Sequence, residues 1–167
     1  RDVLGSRGLG DVYKRQDKMK LYAYPFEGYW KDVGTITSFW DAHMDLLKPD
    51  NKLQLFDKSW RIYTRQGIYP PLYVSEGSKI VNSLVEKGCE IEGEITNSVI
   101  FPGVKIGKNT KVTNSVIMPN TTIEENVIIN KAIIDQNVLI EKNTVVGDNE
   151  EIVVIGAGET VKSNAIK

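Results

Sequence analysis

From Asn97 to Thr113 the chain reads NSVIFPGVKIGKNTKVT, and at Asn114 it begins again with NSVI. The period is seventeen residues, and a looser third copy starts at Lys131. An earlier copy begins at Asn82, only fifteen residues before Asn97. Repeats of this kind are typical of solenoids, in which one unit buries its apolar face only by stacking on the next.

Apolar residues recur along these repeats in steps of six, six and five. Neither the 3.6-residue period of a helix nor the strict two-residue period of a simple strand produces such steps. The positions are Ile100, Ile106, Val112, Ile117, Ile123, Ile129, Ile134, Ile140 and Val146. Three short sides therefore close one turn, and the β-branched residues on them fit the pleated surface of a strand. The sequence predicts a mainly β protein, with a three-sided hexapeptide-repeat solenoid over residues 72–156.

One turn of this solenoid is shorter than the others. Ile91 and Ile95 are four residues apart where the next turn has six, which predicts a tightened corner. Cys89 falls on an inward-facing position and is expected to act as a small hydrophobic residue.

The segment before the solenoid, residues 17–50, has a different pattern. We expect a short strand over Lys20–Pro25, then a loop rich in aromatic residues and glycine. A helix follows over about Ile36–Leu47, with apolar residues spaced by three and four and Thr35 as its N-cap. Residues 51–71 are predicted to be a linker, and residues 157–167 a C-terminal tail.

The first sixteen residues stand apart from the rest. Asp11–Gln16 back-translates to a transposon end that is used as a sequencing adapter, so residues 1–16 are interpreted as a translated artefact. A disordered or flexible linker is the alternative. In either case the expectation is that the natural protein continues upstream.

Composition excludes several classes of function. The 167 residues carry 21 basic and 22 acidic side chains, and no basic face suggests nucleic acid as a partner. No run of eighteen apolar residues is present that could span a membrane. A single cysteine excludes an internal disulfide and fits a reducing, cytoplasmic setting.

The strongest candidate for chemistry is the loop before the helix, in which Asp32 follows Tyr29 and Trp30. A carboxylate held there has the properties of a Mg²⁺ ligand, because Mg²⁺ takes one or two carboxylates and completes its shell with phosphate oxygens and water. By residue chemistry alone, Asp32 is equally well explained as a turn or capping residue.

His43 lies on the apolar side of the helix, where a packing role is expected. Arg61 and Arg65 are candidates for a phosphate near the junction between the two zones.

Four motifs together resemble one family. They are EGYWKDVGTI at 27–36, WDAHMDLL at 40–47, WRIYT at 60–64 and NSVIMP at 114–119. This order is similar to that of bacterial glucose-1-phosphate adenylyltransferases, also called ADP-glucose pyrophosphorylases. The resemblance implies the tail of an α/β nucleotidyltransferase domain followed by a left-handed parallel β-helix. It also implies Asp32 as a metal ligand, and Trp30 and Tyr29 as part of the glucose 1-phosphate wall.

The activity that this resemblance implies is the Mg²⁺-dependent conversion of ATP and glucose 1-phosphate into ADP-glucose and pyrophosphate in glycogen synthesis. The family's glycine-rich nucleotide loop is expected upstream, so the chain by itself is expected to be inactive. It would supply an oligomerisation and regulatory β-helix, in a homotetramer or a heterotetramer with a related subunit.

Two alternatives remain at this point. One is a non-catalytic regulatory subunit of the same enzyme, although the intact Asp32 favours the catalytic form. The other is a different hexapeptide-repeat protein, either a sugar nucleotidyltransferase of other specificity or an acyltransferase. The solenoid contains no histidine, which argues against the acyltransferase. Under the leading interpretation, Phe26, Trp30, Phe39 and Trp40 are expected to pack on an upstream domain.

Overall fold

The computed structural model describes residues 22–53, 55, 57–59, 62–64 and 67–165. Its helix α1 spans Ile36–Asp45. The strands are β1 Tyr73–Val74, β2 Lys79–Val81, β3 Leu84–Val85, β4 Glu90–Ile91, β5 Glu94–Thr96, β6 Val99–Ile100, β7 Lys105–Ile106, β8 Lys111–Thr113, β9 Val116–Ile117, β10 Thr122–Ile123, β11 Ile128–Asn130, β12 Ala132–Ile134, β13 Leu139–Ile140, β14 Val145–Val146, β15 Val153–Ile155 and β16 Thr160–Val161.

Every third strand pairs with the strand below it, which produces three parallel sheets. Sheet A has the order β1-β4-β7-β10-β13-β16, sheet B the order β2-β5-β8-β11-β14, and sheet C the order β3-β6-β9-β12-β15. In sheet A, for example, Ile106 lies beside Ile123, seventeen residues later. The chain therefore coils for about five turns, which confirms the predicted solenoid.

The core is the stack of inward-facing side chains inside the coils. All nine positions that the six-six-five spacing selects are at most 1 % exposed. Burying an Ile or Val side chain contributes roughly 1.5–3 kcal/mol relative to leaving it in water. Cys89 is fully buried in the same core, as its position in the repeat predicts.

Asparagines occupy the left-handed corner positions that start the repeats. Asn82, Asn97 and Asn114 have φ between 43° and 50°, a conformation that asparagine tolerates better than most residues. Their amides form a ladder, because Asn82 donates to Asn97 at 2.9 Å and Asn97 donates to Asn114 at 2.8 Å. Asparagine suits this corner because it tolerates a positive φ and pairs with its counterparts in neighbouring coils, although Lys131 occupies the same corner in the third copy with a φ of 52°.

A serine follows each of these asparagines and satisfies buried backbone groups. The Ser115 hydroxyl donates to the carbonyl of Thr113 at 2.7 Å and accepts from the amide of Ala132 at 3.1 Å. The amide of Ser115 in turn donates to the hydroxyl of Ser98. In the described part of the chain, every buried side-chain nitrogen and oxygen has a hydrogen-bond partner.

The predicted tight corner lies between β4 and β5. Gly93 occupies it, and a Cβ there would collide with the carbonyl oxygen of Thr110 and lie 2.9 Å from that of Gly107. The amide of Glu94 donates to the same Thr110 oxygen at 2.8 Å. The two-residue deletion is accommodated because glycine lets the chain pass directly over the next turn.

Two predicted boundaries differ from the structure. Residues 22–25 have no regular secondary structure, so the described part of the strand predicted over Lys20–Pro25 is not formed. The solenoid also continues beyond residue 156, since β16 pairs with β13 and Val161 is fully buried. Ile155 lies beside Ile134 at a separation of twenty-one residues instead of seventeen. Four extra residues after Val146 break the spacing, so the six-six-five pattern does not predict the last turn.

Candidate active-site loop

The loop that carries the predicted site residues is attached to α1, and α1 has well-defined ends. The Thr35 hydroxyl accepts from the amide of Ser38 at 3.1 Å, and the Ser38 hydroxyl accepts from the amide of Thr35 at 3.0 Å. This reciprocal capping box satisfies amides that the first turn leaves free. It confirms Thr35 as the N-cap, and the helix ends at Asp45, two residues before the predicted end.

Helix α1 packs on the outer face of sheet C. Met44 and Leu47 are 7 % and 8 % exposed, and they form one apolar cluster with Val99, Val116 and Ile133. The outer positions of this sheet are apolar in successive coils, so they provide a continuous surface for the helix. The helix is therefore held by the solenoid itself.

Aromatic side chains complete this contact. The indole nitrogen of Trp40 donates to the carbonyl of Asn114 at 2.8 Å. The His43 ring lies 4.3 Å from the ring of Phe39 and 5.9 Å from that of Phe101, measured between centroids. This confirms the packing role of His43. Phe39 and Trp40, which were expected to pack on an upstream domain, are partly buried against the solenoid, whereas Phe26 and Trp30 are exposed.

The site loop is connected to the end of α1 through one carboxylate. Oδ2 of Asp45 accepts from Lys31 Nζ at 2.6 Å and from the Tyr29 hydroxyl at 3.3 Å. Its other oxygen, Oδ1, accepts from Lys48 Nζ at 2.7 Å. Tyr29 and Lys31 are both partly buried by this arrangement.

Trp30 and Asp32 alternate with these two residues and remain exposed. Trp30 is 76 % exposed, and Asp32 is also exposed. Among the described residues, none forms a hydrogen bond or ion pair with the Asp32 side chain. The structure thus presents two of the three predicted site residues to solvent, while the hydroxyl of the third, Tyr29, is directed to Asp45.

The charges around Asp45 shift the ionisation of its neighbours. Hydrogen bonds from Lys31 and Lys48 lower the pKa of the Asp45 carboxyl from 3.8 to about 2. Burial, followed by the negative charge of Asp45, raises the pKa of Tyr29. At neutral pH the Asp45 carboxylate is therefore ionised and its acceptor oxygens are available to both loop residues.

The donor set near Asp32 limits what metal the chain can bind on its own. Within the described part, no group of three or more His, Cys, Asp and Glu side chains is placed to hold a metal ion. A single free carboxylate matches the share that a protein commonly contributes to Mg²⁺ when substrate phosphates supply other ligands. Asp32 therefore fits a shared site and does not fit a self-contained one.

Two solenoid lysines form ion pairs, and the two candidate arginines lie outside the described part. Lys105 pairs with Glu90 at 2.9 Å, and Lys162 pairs with Glu141 at 3.2 Å, with both lysine side chains exposed to solvent. Arg61 and Arg65 fall among residues that the structure does not describe. No helix in the described ranges is long and apolar enough to cross a membrane.

The roles of Lys31 and Asp45 were not predicted from the sequence. Both residues belong to the motifs quoted above, but fourteen residues separate them and no periodicity relates them. The only available signal was the opposite charge of the two side chains, which does not by itself predict a contact across fourteen residues.

Comparison with known proteins gives two family matches along the chain. Residues 73–153 match the family model described as GlmU-like, C-terminal hexapeptide. Residues 9–49 match the model described as nucleotidyl transferase. The second match begins inside the segment 1–16, which was interpreted as an artefact and lies outside the described residues.

Whole-sequence relatives are more specific. The chain is 68 % identical over 150 residues to the glucose-1-phosphate adenylyltransferase of Fusobacterium nucleatum, covering 90 % of this chain and 39 % of that protein. It is 56 % identical over 150 residues to the enzyme of that name from Clostridium botulinum, with the same two coverages. The Bacillus subtilis enzyme is 50 % identical over 97 residues, covering 58 % of this chain and 26 % of that protein.

The chain thus spans about two fifths of the length of the first two relatives and corresponds to their C-terminal region. The order of the matches is a nucleotidyltransferase segment that carries the site loop, followed by a hexapeptide solenoid. With this order and this degree of identity, the chain is similar to the C-terminal region of glucose-1-phosphate adenylyltransferases.

Proposed function

We propose that this chain forms the C-terminal part of an enzyme that converts ATP and glucose 1-phosphate into ADP-glucose and pyrophosphate for glycogen synthesis. The observation that carries the proposal is the 68 % identity over 150 residues to a relative of that name. The exposed pair Trp30 and Asp32 supports the catalytic form over a non-catalytic subunit, because the acidic side chain is retained and is free of partners among the described residues.

In the proposed reaction, an oxygen of the sugar phosphate attacks the α-phosphorus of ATP and pyrophosphate leaves. Asp32 would be one ligand of Mg²⁺, which when bound stabilises the negative charge that develops on the phosphate oxygens. Trp30 would form part of the wall of the glucose 1-phosphate pocket with its exposed ring. Tyr29 would contribute only its ring to this wall, since its hydroxyl donates to Asp45.

The solenoid would serve assembly and regulation in the same enzyme. Its sheets A and B carry side chains open to solvent, including Tyr73 at 57 % and Ile128 at 48 % exposure, and such residues are suited to contacts between subunits. We place the protein in the cytoplasm as a homotetramer, or as a heterotetramer with a related subunit. Light scattering of the full-length enzyme at several concentrations measures that state directly, and a monomer at every concentration would contradict it.

A chimera tests the catalytic proposal. The matched 150 residues of the Fusobacterium nucleatum relative are replaced by those of this chain, and pyrophosphate release is measured with ATP, Mg²⁺ and glucose 1-phosphate. We expect activity in the chimera and none in the 167-residue chain alone. Asp32→Asn in the chimera is expected to lower kcat/KM by about 100-fold or more, because a charged ligand at the reacting phosphates is lost.

Asp50→Asn is the matched control, since Asp50 is also exposed and lies just beyond α1. It should leave turnover unchanged. A folded chimera that forms no ADP-glucose would refute the proposal. An Asp32→Asn chimera with normal activity would instead show that Asp32 is not needed as a metal ligand.

A further inference from the structure

In the site loop, partly buried and exposed side chains alternate along the chain. Tyr29 and Lys31 are partly buried and bonded to Asp45, whereas Trp30 and Asp32 face solvent. Residues of the two kinds alternate from 29 to 32, so one short stretch of backbone carries both pairs. Holding the side chains of Tyr29 and Lys31 therefore also restrains the backbone from which Trp30 and Asp32 project.

We propose that Asp45 is a positioning residue, which holds Tyr29 and Lys31 so that Trp30 and Asp32 are presented to the substrates. This rests on the proposed function of the loop. Asp45 does not touch the substrates in this proposal, and its effect passes through the two loop residues that it binds.

Asp45 is suited to this role because its own position is fixed. It is the last residue of α1, and Met44 beside it is buried against sheet C. Leu47, two residues later, is buried in the same cluster. The Asp45 carboxylate is therefore held in place by the packing of α1 on the solenoid. Through this one side chain, the orientation of the loop depends on the position of the helix.

The Lys31 contact has a second consequence for Asp32. The Lys31 ammonium lies 2.6 Å from Asp45 and is thereby directed away from the carboxylate of the next residue in the chain. Lys48 binds the other oxygen of Asp45 at 2.7 Å, so the same carboxylate holds two cations. Without Asp45, Lys31 is free to pair with Asp32 and compete with a metal ion for it.

The first test asks whether the contacts of Asp45 with Tyr29 and Lys31, here called the tether, hold the loop in the 167-residue chain. It requires no enzymatic activity. Asp45→Ala is compared with Asp41→Ala, which removes a carboxylate one helical turn earlier that makes no hydrogen bond or ion pair within the described residues. Hydrogen exchange of the amides at 29–34 should become several-fold faster in Asp45→Ala and stay unchanged in Asp41→Ala. Equal exchange in both variants would overturn the proposal.

The second test measures catalysis in the chimera. Asp45→Ala is expected to raise both the KM for glucose 1-phosphate and the half-saturating Mg²⁺ concentration by up to about 100-fold, because a misplacement of about 1 Å caused by a mutation away from the reacting groups can cost that much. Lys31→Ala should give a similar effect, and the double variant should be no worse than the more severe single variant. Additive losses would contradict an action through the Lys31 contact.

These readouts separate the proposal from its alternatives. If Asp45 only stabilises the fold, Asp45→Ala lowers the melting temperature but leaves KM and the Mg²⁺ dependence of the folded enzyme unchanged. If the proposed function itself is wrong, the parent chimera is inactive while the exchange experiment still shows the tether. Faster exchange at 29–34 with unchanged KM and Mg²⁺ dependence overturns the positioning role alone.

Discussion

Asp45 ends helix α1 and binds two residues of the site loop through its charged side chain. Its carboxylate accepts hydrogen bonds from Tyr29, Lys31 and Lys48. The pKa of this carboxyl falls from 3.8 to about 2 because the folded state favours the ionised form. The contact is thus a source of stability that depends on pH.

The sign of this dependence follows from the lowered pKa. The stabilisation is fully present above about pH 4 and is lost as the pH falls toward 2, where the folded carboxyl takes up its proton. We expect the amides at 29–34 to lose protection from hydrogen exchange over this range, after correction for the intrinsic effect of pH. Asp45→Asn should remove this change and Asp41→Asn should keep it. An unchanged pH profile in Asp45→Asn would show that another group titrates.

At Gly147 the local geometry allows only glycine. Its φ is +78°, and a Cβ there would collide with the carbonyl oxygen of Asn130. Gly147→Ala is expected to cost about 1–2 kcal/mol for the backbone conformation and about 1–3 kcal/mol more for the overlap. Urea denaturation measures the sum.

The matched control is Gly158→Ala. Gly158 has a φ of +72°, but no atom lies within 4 Å of a Cβ built on it. It should show only the backbone cost of about 1–2 kcal/mol. Equal losses in the two variants would mean that the chain around Gly147 moves to accept the methyl group.

Helix α1 is an element that depends on its partner. It has ten residues, and isolated helices shorter than about 12–15 residues are marginal in water. Its stability therefore comes from the contact of Met44 and Leu47 with sheet C. The site loop is connected to the helix through Asp45, so loop order depends on helix docking.

Met44→Ala tests this dependence. Removing a buried methionine side chain costs about 2–5 kcal/mol, and here the loss falls on the contact between α1 and sheet C. We expect faster hydrogen exchange across 36–45 and 29–34, with the strands of the solenoid unchanged. Ile36→Ala is the control, because Ile36 lies on the same helix and is 54 % exposed. Uniformly faster exchange in helix and strands would indicate a single cooperative unit instead.

The whole solenoid is stabilised by contacts between successive coils, as in other repeat proteins. Ile117 is fully buried between Ile100 and Ile134 of the neighbouring coils. Ile80 lies in the first coil, is only partly buried and pairs on one side, with Ile95. An equivalent change in the two coils should therefore have different consequences.

Ile117→Ala is expected to destabilise the protein by about 2–5 kcal/mol, because it opens a cavity with core on both sides. Ile80→Ala should cost less than half as much and increase exchange only in the first coil. Denaturant unfolding and hydrogen exchange measure the two effects. Equal global losses would show that the first coil is as well packed as the centre.

How much the sequence predicts depends on how local the cause is. The inward isoleucines and the N-cap Thr35 follow from local preferences, and each lies where the pattern predicts it. The end of the solenoid was missed because four extra residues before Ile155 break the spacing. The short strand expected before Pro25 was wrong in its described part, since no neighbouring strand pairs with it there.

The sequence by itself determined the coil, because its period of seventeen residues repeats the same side-chain sizes and turn residues until only stacking buries them. It also determined which loop carries the candidate chemistry, through the motif from Glu27 to Ile36. Only the tertiary structure decided how that loop is held. The link from sheet C through Met44 and Asp45 to Lys31 joins distant parts of the chain by contact, and no local propensity or period encodes such a contact.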